Sequence, residues 1–127
     1  MPEPVKYVTA EFLRLHPTYV FVYGDNLVRK GKGGAAKLRN EPNTYGFVTK
    51  KYPNNQDRSF YRPDEYAEVF EVELRKLTKE IESNPHKLYL ISKLGAGLAN
   101  KYDICDKVIV PGLNELKKAN LKNVTFL

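Results

Sequence analysis

The run Tyr19-Val20-Phe21-Val22-Tyr23 has no charged or strongly polar position. A strand of that kind is buried on both faces, a condition met by a parallel sheet covered with helices on each side. The run ends in Gly24-Asp25-Asn26, and a basic glycine-rich loop, Lys30 to Ala36, follows. Gly33 to Arg39 then reads as a short helix. This order puts bare backbone N–H groups and a helix start beside the end of a buried strand, a place that suits a phosphate.

The rest of the chain alternates in the same way. Lys6 to Thr9 reads as a short edge strand and Glu11 to Leu15 as a turn of helix. Tyr45 to Tyr52 is bounded by Pro42-Asn43 and Pro53-Asn54 and reads as a strand. Pro63 to Glu82 is the clearest helix. Pro63 suits the first helical position, Asp64 and Glu65 favour the positive end of the dipole, and Tyr66, Phe70, Leu74, Leu77 and Ile81 form one apolar stripe. Lys87 to Leu94 reads as a strand leading into a second glycine loop, Gly95-Ala96-Gly97. Lys101 to Lys118 reads as helical, interrupted by Pro111, and Asn123 to Leu127 as a last strand. The pattern predicts one α/β domain over residues 1–127, three layers deep, with a mixed and largely parallel sheet flanked by helices.

Composition narrows the function. The N-terminus MPEPVKYV lacks the basic head and apolar stretch of a secretory leader, and no apolar run has membrane-spanning length. A cytoplasmic protein is expected. The single cysteine, Cys105, leaves no internal disulfide, and His16 and His86 stand far apart beside prolines. No metal and no cofactor is expected. The net charge is +6, and its whole excess lies between Arg29 and Arg62, where nine Lys/Arg face two Asp/Glu. That concentration favours an anionic ligand held locally.

The loop Gly31-Lys32-Gly33-Gly34-Ala35-Ala36 fits G-x-G-x-x-A, but it is not a dinucleotide fingerprint. Asp25 to Lys30 separate it from the strand, and Lys50 and Lys51 stand where a ribose-binding acid belongs. Asp25 and Asn26, read as lying just past the strand end, are placed to meet a ligand or to cap the following turn. Lys50 and Lys51 alternate on a strand, Lys50 sharing a face with Gly46, Val48 and Tyr52. Tyr52, Phe60, Tyr61 and Tyr66 among basic residues suit either a stacking platform for a base or a lid loop.

With these residues in view, the chain resembles the macro domain family, an α/β fold that binds ADP-ribose. Tyr23-Gly24-Asp25-Asn26 looks like that family's strand-end asparagine motif, Asn26 falling on the asparagine that touches the distal ribose. Gly31 to Ala36 is similar to its first glycine loop, and Tyr89 to Leu98 to its strand and Gly-x-Gly phosphate loop. The resemblance implies ligand contacts at Gly24, Asp25, Asn26, Gly31, Gly33, Gly34, Ala35, Lys93, Leu94, Gly95, Ala96, Gly97 and Leu98. Within the family the chain is most similar to the terminal ADP-ribose protein glycohydrolase group, and to small macro-like proteins of phages and bacteria. The catalytic lysine of that group falls on Lys50. Its aspartate falls on Ala99, so Asp25 or Asp103 would have to substitute.

Three functions are therefore expected in turn. The first is an ADP-ribose-binding domain that acts as a glycohydrolase, with Lys50 and Asp25 as catalytic candidates. The second is a non-catalytic reader or sequestering protein for ADP-ribose or another NAD-derived nucleotide. The third is a nucleic-acid-binding module. An ADP-ribosylated protein or nucleic acid is the implied partner, and no membrane is.

Overall fold

The computed structural model describes residues 8–31, 34–97 and 99–127, with the backbone alone at Gly34 and Ala35. Four strands form one sheet: β1 (Tyr19–Asn26), β2 (Thr44–Lys50), β3 (Leu88–Ile91) and β4 (Val124–Phe126). Their order is β2-β1-β3-β4, and every pair is parallel. The sheet is thus wholly parallel among the described residues, not mixed. Of the expected first edge strand, Lys6 and Tyr7 lie outside the described residues. Thr9 is instead the N-cap of helix α1 (Ala10–Leu15), its hydroxyl accepting the Phe12 N–H at 3.0 Å.

β1 is buried on both sides, as its composition requires. Val20 and Val22 point into the larger core with Phe47, Val48, Tyr89 and Ile91. That core is closed by helix α2 (Pro63–Ser83) through Tyr66, Phe70, Leu77 and Ile81, and by helix α3 (Val110–Lys118) through Leu113 and Leu116. Phe21 and Tyr23 point to the other face, where Leu13 of α1 and Ala36 and Leu38 cover them. Ala36 and Leu38 belong to a 3-10 turn, Gly34–Leu38, where a short helix was expected. Gly33 of that expected helix lies outside the described residues.

The helical stretch before β4 passes straight through Pro111. A π-turn, Cys105–Ile109, precedes α3, so the proline sits in the first turn of the new helix, where no N–H is needed. Gly112 lies against Phe70, and a Cβ there would overlap the ring. Helix propensity alone predicts that Gly112→Ala stabilises by up to ~1 kcal/mol. The contact predicts the opposite sign, a loss of about 1–3 kcal/mol, because α3 must lift off α2. Calorimetry should show a fall in melting temperature on the order of 5–10 °C, and a rise would refute the packing argument.

β2 is an edge strand, yet its outward backbone groups have partners. The Val48 N–H donates to Glu73 Oε1 at 2.7 Å, and the Val48 carbonyl accepts the Tyr66 hydroxyl at 2.6 Å. The Gly46 carbonyl accepts from Arg29 at 3.0 Å. Side chains from both faces thereby cover the edge.

Candidate functional site

The connection after β1 leads to β2 on one side, and the connection after β3 leads to β4 on the other. The carboxyl ends of β1 and β3 therefore flank a topological switch point, the place where open α/β sheets bind ligands. β3 ends at Ile91, opposite Val22, while β1 runs on through Gly24, Asp25 and Asn26. A cavity of about 470 Å³ opens beside that overhang. It falls within the usual size range of small-molecule sites.

Most of the residues singled out from the sequence meet there. Gly24, Asp25, Asn26 and Gly31 come from the end of β1 and the first loop. Lys93, Gly95, Gly97 and Ala99 come from the second. Lys50 comes from the end of β2, and Lys30 and Ala36 from the two ends of the first loop, while Thr49, Pro53, Asn55 and Ser92 were not foreseen. Gly33 and Leu98 lie outside the described residues. Leu94 is buried in the core beneath the second loop, and Ala96 is exposed.

Asp25 and Asn26 are the last residues of β1, paired with Val48 and Lys50, and not loop residues past its end. Their side chains organise the first loop. The Asn26 amide oxygen accepts the Val28 N–H at 3.1 Å, and its NH₂ donates to the Lys30 carbonyl at 2.7 Å. The buried Asp25 carboxylate meets Arg39 at 2.6 Å and Arg29 at 3.2 Å. It also accepts the Asn26 N–H at 2.8 Å and the Tyr23 hydroxyl at 3.4 Å. Burial and then the Asp25 charge push the Tyr23 phenol up from its ordinary pKa. Arg39 goes on to donate to the carbonyls of Lys30 and Gly31. Arg39 and Asn26 thus hold the carbonyls of Lys30 and Gly31 at the entry to the loop. A Cβ at Gly46 would strike the Asp25 carboxylate, so this strand position has to be glycine.

The glycines of the second loop differ from each other. Gly95 has φ of +73°, and a Cβ on it would strike Ile109, so the fold needs it. Gly97 has neither constraint: no described atom lies within 4 Å of where its Cβ would be. It borders the cavity and leaves its backbone open to whatever enters.

Lys50 and Thr49 both line the cavity at the end of β2. The pairing there is irregular. Asp25 pairs with Val48 and Asn26 with Lys50, so Thr49 is an extra residue in a bulge. The Lys50 ammonium lies 4.8 Å from the centre of the Phe60 ring and makes no ion pair among the described residues. Desolvation lowers its pKa from the ordinary lysine value. Lys51 differs, bound to Glu65 at 3.0 Å.

Part of the basic excess is occupied by the fold. Arg29 and Arg39 serve Asp25, Lys51 serves Glu65, and Arg62 stands 4.0 Å from Asp57. The aromatic cluster is mostly core, not a platform: Phe60, Tyr61 and Tyr66 are buried, and Tyr52 alone of the four is exposed. Asp57 accepts from Lys101 at 3.0 Å and from the Tyr102 hydroxyl, joining the segment after Asn55 to the segment after the second glycine loop. Cys105 is half-buried, and burial raises its pKa, so its thiol is not activated. No His/Cys/Asp/Glu group able to hold a metal is present among the described residues. No described helix is long and apolar enough to cross a membrane.

Residues 4–101 match the family of unknown function DUF7831, and the chain belongs to that family. No curated protein and no solved structure matches it.

Proposed function

We propose that the switch-point cavity binds ADP-ribose, or a nucleotide closely related to it, in a cytoplasmic setting. The observation that carries this reading is the convergence of both glycine loops and Lys50 on one cavity. Backbone N–H groups of the two loops would hold a diphosphate, and Lys30 and Lys93 would add charge at the rim. The 3-10 turn after the first loop is too short to contribute much dipole, so the bare amides carry the attraction.

In this reading Lys50 acts on the distal ribose. Its neutral amine attacks the anomeric carbon or orients a water there, and the bond to a modified macromolecule, protein or nucleic acid, breaks. The desolvated setting makes that neutral amine available at lower pH than for an ordinary lysine. A second reading, binding without cleavage, is favoured by one observation. Ala99 stands in the cavity wall where the resembling glycohydrolases carry their aspartate.

Thermal shift with ADP-ribose, NAD, ADP, ATP and a short oligonucleotide separates these readings from simple nucleic-acid binding. Ligand at a hundred times its Kd adds about 2.7 kcal/mol, a shift on the order of ten degrees here. A shift with the oligonucleotide and none with ADP-ribose sinks the proposal. Lys50→Ala should keep the ADP-ribose shift and abolish release of ADP-ribose from a modified protein. No release by the wild type, with binding intact, identifies a reader.

A further inference from the structure

The cavity lining leaves one feature unexplained: why the bulge falls at Thr49, one residue before the only unpaired lysine of the β2 end. A parallel ladder gains nothing from a bulge in itself, since the extra residue forfeits its place in the pairing. The cause lies on the outer edge of β2. Val48 is held there at both its backbone groups, its N–H by the buried carboxylate of Glu73 and its carbonyl by the fully buried hydroxyl of Tyr66. Both side chains project from α2, which is anchored in the main core by Phe70, Leu77 and Ile81. Three residues later the chain is fixed again, with the Lys51 N–H donating to the Ser59 carbonyl at 2.8 Å and its carbonyl accepting the Leu27 N–H at 3.1 Å. Between these two clamps the strand carries one residue more than β1 can match, and Lys50 is set opposite Asn26.

We infer that Tyr66 and Glu73 are positioning residues for Lys50: by gripping Val48 they force the bulge that sets Lys50 in the cavity lining with its amine over the Phe60 ring. The inference deepens the proposed role of Lys50 and rests on that role for its functional meaning. Its geometry does not depend on which ligand enters. Glu73 acts as a hydrogen-bond acceptor at Val48 and not as a counter-charge to Lys50. Its second carboxylate oxygen lies 3.9 Å from Lys76, and no ion pair joins it to Lys50. Lys101 shares the Phe60 ring with the Lys50 amine, and the charged residues that line the cavity with Lys50 are Lys30, Lys93 and the Arg-bound Asp25.

The experiment needs no ligand. Trace acetylation with acetic anhydride across a pH series, read by mass spectrometry, gives the labelling midpoint of Lys50. In the wild type it should lie below that of an ordinary lysine. Tyr66→Phe removes only the hydroxyl and should raise the midpoint, cutting labelling at neutral pH roughly threefold. Glu73→Leu should do the same. Glu73→Gln keeps an acceptor for the Val48 N–H and should restore the wild-type midpoint. Leu74→Ala, a destabilising change on the same helix that removes no hydrogen bond to the Val48 backbone, is the control and should leave it unchanged. An ordinary midpoint in the wild type, or equal shifts in Tyr66→Phe and Leu74→Ala, overturns the inference. Should Glu73→Leu fail to fold, the Tyr66→Phe and Glu73→Gln pair decides the matter alone. A failed ADP-ribose thermal shift would refute the proposed ligand and leave these labelling results standing.

Discussion

Asp25→Ala is expected to cost about 3–5 kcal/mol, the range for removing one partner of a buried ion pair. The loss comes from what remains. Arg39 keeps a mostly buried guanidinium beside Tyr23 and loses its carboxylate, and Arg29 loses its 3.2 Å partner. Chemical denaturation would measure the effect. Ligand affinity should fall with stability, because Arg39 also holds the carbonyls of Lys30 and Gly31. Asp25→Asn sharpens the test. If Asp25 serves as a catalytic acid and nothing more, this variant keeps its melting temperature and loses only turnover. A fold-organising Asp25 predicts that stability and loop order fall in both variants.

Gly97→Val should behave in the opposite way. Its Cβ meets no described atom within 4 Å, and its φ lies outside the left-handed region, so stability should change by less than about 0.5 kcal/mol. The valine would still occupy the space where a diphosphate must approach the backbone. ADP-ribose affinity should drop by at least about tenfold, or ~1.4 kcal/mol, measured by calorimetric titration. Gly95→Ala is the contrasting control, destabilised by its φ of +73° and by Ile109. If Gly97→Val binds ADP-ribose as tightly as the wild type, the second loop is not a ligand loop.

Much of this arrangement is legible in the amino-acid order. The unbroken apolar run of β1 requires cover on both faces and so implies helices on each side. The stripe Tyr66, Phe70, Leu77 and Ile81 marks α2, and the two glycine loops mark the cavity. What stayed hidden depends on tertiary partners. Glu73 stands at helical spacing between Phe70 and Leu77 on the buried face of α2, and sequence does not show that its partner there is the Val48 N–H. The bulge at Thr49 has no local signature, since the clamps that cause it come from residues far along the chain. Asp25 and Asn26 read as ligand contacts, because sequence does not show that Arg29, Arg39 and the Lys30 carbonyl reach them first. In the basic cluster, Arg29, Arg39, Lys51 and Arg62 answer carboxylates of the fold, which sequence does not show either.

The strand order also governs when the cavity can exist. β1 is central, yet its inner partner β3 is synthesised only after β2 and the whole of α2, and Tyr19 must wait for Leu88. Closing so long a span carries an entropic cost before any contact forms, which slows assembly. A nascent chain holds the first glycine loop and Lys50 well before Gly95 and Gly97 leave the ribosome. Until then it owns half a pocket. A ligand that needs both loops, as the proposed reading requires, can therefore select only chains whose sheet is already closed.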